Sequence, residues 1–497
     1  MEEYKQAILA FTALKNLIVL IPAFPILAGL FLLFSGRRNS KMVPQTAFFI
    51  TLLTAVFTFF VSYKCYDPGL VYGFKWHWFE SINFGYKIDG MAAVMLMTIN
   101  LAALIAAFIG QDYFKKQEGN IGFIFSNMLI FLGGMNGVIL SVDTIQFYFF
   151  YEMMLIPSYF LIAFYGESEN CQKTGLKYFI FTHVGAVFLL LAFLFIYSKY
   201  GVTDIDSMRS ILSALSLAES KFLFLAVFIG FAFKLAIFPF HTWLPDSYND
   251  APLPVTIMLA AGMINTGIYG MARFLFLFSN ETLLYFSYPL IVMAVITQFY
   301  GGFMALAENR IKKIIAYSSI SQMGYVLVGF ASLASNGITG SVMHALNHGL
   351  AKALFFMVAG TVVLVTGKQL ITEVSGLGSK YKDLGFYATI AGLALLGAPP
   401  LCGFTSEWLI FAGGFSTHFK SMIVLSVLAT ALTTGYSLYF VKRIFYGECP
   451  AGLQTVEIPV KMRVAMGLLT VLIFAAGIYP AFIMQLARGA VSLLSRI

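Results

Sequence analysis

Charge is scarce in this chain of 497 residues: Asp, Glu, Lys and Arg together make up 11% of it. A soluble domain carries about 25%. Cysteine is scarcer still, with Cys65, Cys171, Cys402 and Cys449 scattered along the chain, no CxxC pair and no His/Cys cluster. That argues against an iron–sulfur centre or structural zinc within the chain and offers no disulfide framework. Neither GxGxxG nor GxxxxGK[ST] occurs, so a nucleotide-binding loop is unsupported. The opening "MEEYKQAILAFTALK" begins acidic and lacks a small-residue cleavage site, so the N-terminus is expected to be retained.

What is abundant is apolar surface. Hydrophobic residues make up 59% of the chain. No core of this size absorbs that much and leaves a wettable exterior, so the solvent must be lipid. The net charge of +8 does not imply nucleic acid, because the basic residues sit mainly in short connections between apolar runs.

At ~20 apolar residues per crossing, the chain reads as an all-α polytopic membrane protein of fourteen spans. They are expected near 16–34, 43–63, 90–110, 121–141, 144–165, 176–199, 221–245, 254–278, 282–307, 312–334, 337–365, 384–416, 419–447 and 462–486. All of 1–497 forms one membrane domain: N-terminal helices over 1–120, five-span sets over 121–278 and 282–447, and a C-terminal helix over 448–497. Two consecutive sets with an odd number of crossings must lie inverted in the membrane. In each set the fourth span, the seventh and twelfth of the chain, is broken by proline, at Pro239 and at Pro399–Pro400. Lys and Arg are richer in the loops "GRRNSK", "QDYFKKQEGN", "NCQKTGLK", "ENRIKK", "GKQLITEVSGLGSKYKD" and Lys442–Arg463, which predicts those loops in the cytoplasm and both termini outside. Cys65 is then outside, and Cys171 and Cys449 inside.

A charge placed mid-span costs about 2.5–3.5 kcal/mol on insertion scales, so each one needs a reason. Glu152, Lys234, Lys352 and Glu407 fall within spans, as do His183, His344 and His348. An ion pair that merely glues helices is one account of Glu152 and Lys234, but such pairs roughly break even in stability. The alternative is a proton site, because pairing favours both charged forms and separation favours both neutral ones. His344, His348 and Lys352 recur every four residues and share one helical face. Three titratable groups on one stripe suit a water-lined relay; no carboxylate or cysteine joins the two histidines to make a metal site. Pro239 and Pro399 free backbone carbonyls near Lys234 and Glu407, and inside a membrane protein or water must satisfy them. A hydrated break about one turn from Lys234 is therefore expected. Asp143, Asp246 and Asp250 sit at span ends and read as caps.

The segments "YEMMLIPSYFLIAFYG", "FKLAIFPFHTWLPDSYNDAP", "ENRIKKIIAYSSISQMGYVL" and "GFTSEWLIFAGGF" resemble the antiporter-like proton-translocating subunits of complex I and its relatives, most closely the subunit M type. The resemblance spans nearly the whole chain. It implies a fourteen-helix fold with inverted repeats and broken helices 7 and 12. It also implies a Glu152–Lys234 pair, an eleventh-helix histidine at His348 and a terminal charge at Glu407; His241, a secondary candidate, follows the seventh-helix break in the sequence. Glutamate at the last position is the M-type pattern. Asn265 stands where the family carries a central lysine, and Gln322 where many M-type chains carry histidine. Lys352 matches L-type and hydrogenase-type relatives.

The resemblance implies proton translocation driven by redox chemistry elsewhere. This chain is expected to hold no cofactor and no metal, with flavin and iron–sulfur clusters in a peripheral arm and further antiporter-like subunits beside it. Two rivals stay open: a Mrp-type sodium/proton antiporter subunit without redox partners, and a structural membrane scaffold that does not pump.

Overall fold

The computed structural model describes residues 2–34, 42–66, 70–116, 120–450, 456–489 and 491. Helices dominate it. Twelve of them, among the described residues, are long and apolar enough to cross a membrane. The expected seventh span instead comes as Leu217–Lys234 and Leu244–Asp250, and the twelfth as Lys382–Leu395 and Cys402–Phe415. The loop "GRRNSK" lies outside the described residues.

Position in the bundle follows composition. Helices such as Cys171–Tyr200 keep an apolar flank exposed, including Leu176, Ile180 and Leu191. The segment Leu253–Leu275 is buried along its whole length. It is not a uniform α-helix: Met258–Met263 is a π-turn, just before Asn265. Such turns disturb the backbone hydrogen-bond ladder and recur at functional positions.

The connection over 64–89 is not a plain loop. Tyr72–Phe79 and Ile82–Ile88 pair antiparallel, with Tyr72 opposite Ile88 and Phe74 opposite Tyr86. The helical fold class holds, and only the reading of this connection as a loop is corrected. Alternating aromatics account for it, since Trp76 lies across from Phe84 with ring centroids 5.1 Å apart. The hairpin is tied to the 203–206 segment by Lys75–Asp204 at 2.9 Å and Lys87–Asp206 at 2.7 Å.

Helix starts follow the sequence closely. Asp89, Asp143 and Asp204 each accept a backbone N–H at 2.9 Å, from Ala92, Ile145 and Ser207. Asp143 is therefore the cap its position suggested. Asp246 and Asp250 are not caps. Asp246 lies between Lys177 at 2.8 Å and Lys313 at 2.6 Å, while Asp250 accepts from Thr174 Oγ1 at 2.6 Å.

These polar contacts sort the connections onto two faces. One face joins 111–116, 166–177, 246–252, 308–313, 368–383, 446–450 and 456–463, through Lys312–Glu167 at 2.9 Å, Arg463–Asp383 at 2.9 Å and Lys461–Asp112 at 3.4 Å. All but 246–252, which carries no Lys or Arg, are connections the charge bias groups together. The hairpin and the 203–206 segment lie on the other face. The thiol of Cys65, expected to be open to that side, is instead buried, while Cys171 and Cys449 are partly exposed.

Candidate functional site

The two broken spans bring the candidate residues toward the middle of the bundle. Lys234 ends the Leu217–Lys234 helix, where Pro239 follows and Ala236 has φ +52°. The Phe233 carbonyl, at the end of that helix, accepts from the Trp243 indole at 2.8 Å. Phe238 N–H donates to Thr297 Oγ1 at 3.3 Å. One protein donor, Trp243, and one protein acceptor, Thr297, thus satisfy part of a break expected to be hydrated.

The twelfth span is treated alike: Gln322 Nε2 donates to the Leu395 carbonyl at 3.4 Å, just before the break at Pro399–Pro400. Across that break Gly397 takes φ +71°. A Cβ there would stand 2.5 Å from Oε2 of Glu407, so the carboxylate sits on the bare glycine.

Lys234 is 1% exposed, and its Nζ has no hydrogen-bond partner in the protein. It lies 5.1 Å from the ring centroid of Tyr151, the residue beside Glu152. Glu152 Oε2 meets His183 Nδ1 at 3.0 Å, and Oε1 is buried without a partner. The anticipated Glu152–Lys234 ion pair is therefore not closed. Helix packing turns the carboxylate toward His183.

From Lys234 the row continues by contact. A Cβ at Gly267 would stand 3.3 Å from Cγ of Lys234, and one at Gly349 would stand 3.7 Å from Nδ2 of Asn265. Asn265 donates to the Ala261 carbonyl, inside the π-turn, at 2.8 Å, and its Oδ1 is buried without a partner. His348, beside Gly349, is 2% exposed with neither ring nitrogen bonded to protein. Its ring centroid is 6.0 Å from that of His344. His344 meets Ser406 Oγ at 3.1 Å through Nδ1 and Gln322 Oε1 at 2.8 Å through Nε2. Ser406 precedes Glu407, whose Oε1 is buried and unpartnered.

Lys352 is completely buried and donates to the Ile315 carbonyl at 3.0 Å and to the Ser318 hydroxyl. His241 is off this row. It lies against Tyr300, 4.4 Å between ring centroids, and Phe238, at 5.5 Å. The structure therefore places Lys234, Asn265, His348, His344 and Glu407 in neighbouring parts of the buried interior, linked in part through Gly267, Gly349 and Ser406, with Glu152 next to Tyr151 at one end. His183, Gln322 and Ser406 are additions that sequence reasoning did not place in the site. Gln322 stood out only as a departure, and His183 only as a histidine within a span.

Such a set can pass protons between titratable groups, provided that ordered water completes the unpaired atoms. A family model described as NADH:quinone oxidoreductase/Mrp antiporter, TM, matches residues 141–433, more than half of the chain. The chain belongs to this family.

NADH-quinone oxidoreductase subunit M of Escherichia coli strain K12 is 31% identical over 422 residues, covering 82% of this chain and 82% of that protein. Subunit M of Rickettsia prowazekii is 30% identical over 440 residues, covering 87% and 88%. Among solved structures, a chain of respiratory complex I from Thermus thermophilus matches with TM-score 0.83 at 24% identity, covering 96% of this chain and 99% of that one. A chain of the Mrp complex from Dietzia sp. DQ12-45-1b matches with TM-score 0.86 at 20% identity, covering 98% of each. These likenesses establish the antiporter-type fold. The matched solved chains come from multisubunit complexes.

Proposed function

We propose that this chain carries protons across the membrane as one subunit of a redox-driven complex. The supporting observation is the buried row whose ionisable or polar ends lack protein partners: Glu152 Oε1, Lys234 Nζ, Asn265 Oδ1, both nitrogens of His348, and Glu407 Oε1. Stability alone disfavours such groups, since each unmatched buried polar atom costs about 1–3 kcal/mol. A pathway needs them, because a proton carrier must be free to change partners.

In this reading Glu152, Lys234, His348, Lys352 and Glu407 carry or gate the proton. His344 and Asn265 hold the water between them, and the breaks at Pro239 and Pro399 give the row its access. The flavin and iron–sulfur chemistry resides in partner subunits of a peripheral arm. Homology to the subunit M proteins supports a redox host over a free-standing sodium/proton antiporter. The face rich in Lys and Arg lies in the cytoplasm of a prokaryotic cell, and both termini lie outside. The two five-span sets form inverted repeats about the row.

The test is proton uptake by the purified complex in proteoliposomes, with redox turnover followed in parallel. Glu152→Gln and Lys234→Met each suppress uptake severely while the complex still assembles. Undiminished uptake in both variants would remove the proposal.

A further inference from the structure

His183 is the residue that the proton row leaves unexplained. It lies near the middle of the Cys171–Tyr200 helix, with its ring stacked on Phe179 at 5.7 Å and 10° between planes. Its Nδ1 holds Glu152 Oε2 at 3.0 Å, and the two side chains are 44% and 22% exposed. Around it the same flank presents Ile180, Val184 and Val187 outward. A titratable imidazole thus reaches the lateral surface at mid-membrane depth, where an uncovered polar group is costly. The matched solved relatives are chains of complexes, and a neighbouring membrane subunit seated on this flank would cover it.

Glu152 touches one basic group and is the chain neighbour of Tyr151, whose ring lies 5.1 Å from a second. The first is His183; the second is Lys234, whose Nζ has no hydrogen-bond partner. Rotation of one carboxylate from the first toward the second would decide which base has a counter-ion. We infer that His183 is a further proton-carrying residue, and that Glu152 exchanges between His183 and Lys234 as the proton moves.

The step balances. Protonated Glu152 gives its proton to Nδ1 of neutral His183, leaving an imidazolium beside a carboxylate. The carboxylate then turns to protonated Lys234, and the imidazolium, now without its counter-ion, releases a proton from Nε2 toward the covered flank. A ring rotation restores the acceptor. No oxidant or co-reactant is required.

The inference rests on the proton-conduction reading, and one set of variants separates the two. The complex is purified from cells carrying His183→Gln, His183→Lys or Lys234→Met and sealed in liposomes with a pH-sensitive dye. Protons taken up per redox turnover are then measured. Gln keeps a hydrogen bond to Glu152 but carries no proton, so uptake per turnover falls by roughly tenfold or more. Lys carries a proton on a flexible stem and restores uptake to within roughly threefold of the parent. A merely structural histidine gives the opposite ranking, with Gln tolerated and Lys not, and that result overturns the inference. Loss of uptake in Lys234→Met with full uptake in His183→Gln also overturns it while sparing the proton pathway. Full uptake in Lys234→Met removes the pathway itself. Should His183→Gln fail to assemble, His183→Asn repeats the comparison with a smaller amide.

Discussion

Lys352 Nζ donates to the carbonyl of Ile315 at 3.0 Å, from the Ser335–Thr366 helix to its neighbour Ile311–Ala331. The contact fixes the ammonium one turn from His348, whose own nitrogens have no protein partner. With Asn265 in the place of a family lysine, Lys352 is the buried ammonium that the second half of the row retains. Lys352→Met is expected to abolish proton uptake while redox subunits remain assembled. Asn265→Ala removes only an amide that holds the Ala261 carbonyl and is expected to slow uptake. Asn265→Lys combined with Lys352→Met is expected to recover part of it. Proteoliposome uptake decides all three, and full uptake in Lys352→Met would make the stripe structural.

The position of Glu407 depends on a residue with no side chain. Alanine at Gly397 must hold φ +71° and place a methyl 2.5 Å from the carboxylate. The left-handed backbone alone costs about 1–2 kcal/mol. Gly392, on the preceding helix, is a matched control, since its Cβ would meet nothing nearer than 3.6 Å. Gly397→Ala is expected to lower the melting temperature of the complex and its proton uptake. Gly392→Ala is expected to leave both at or above the parent, because alanine favours a helix by up to ~1 kcal/mol. Equal behaviour of the two would show that Glu407 does not rely on the bare glycine.

Membrane orientation can be read by chemistry on either face. Because the Cys65 thiol is buried, it cannot report the outer side. His77→Cys, on the exposed hairpin strand, is expected to react with a membrane-impermeant thiol reagent on intact cells. Cys171, Cys449 and Gln369→Cys are expected to react only after permeabilisation. The reverse pattern would turn the topology over.

Lipid explains which features the sequence made legible. A helix must satisfy its own backbone in hydrocarbon, so spans and breaks appear directly as apolar runs and prolines. Lys234 and Glu407 stood out because charge is costly there. The direction in which Glu152 points did not, since it is set by how Thr144–Tyr165 packs on Cys171–Tyr200. His183 carries no local mark of its partner, thirty-one residues earlier in the chain. The hairpin was missed because its strands lie in a connection, where aromatic alternation competes with the expectation of a loop. Gln322 bridges His344 and the Leu395 carbonyl, a geometry that only the packed bundle reveals.

The hairpin supplies a pH test outside the spans. Burial acts to raise the Asp204 carboxyl, but its hydrogen bonds from Ser207 and Lys75 outweigh this and hold it below the usual range. Asp89 behaves alike: burial is overcome by the Arg273 guanidinium at 2.6 Å and the Ala92 N–H. A carboxylate whose folded value is depressed stabilises the fold fully above its unfolded value, about 3.9. That contribution is lost as pH falls through the lower folded value. Hairpin anchoring is therefore expected to be flat from neutral pH down to about 5 and to weaken only below about 4. Trp76 and Trp78, both exposed on the hairpin, report it by fluorescence against the buried Trp243. Asp204→Asn keeps the shape but loses the charge that meets Lys75 and one acceptor oxygen. It is expected to loosen the hairpin at neutral pH and to flatten the acid transition. A transition centred well above the ordinary carboxylate range, or one unchanged in Asp204→Asn, would assign the anchoring to the aromatic ladder instead.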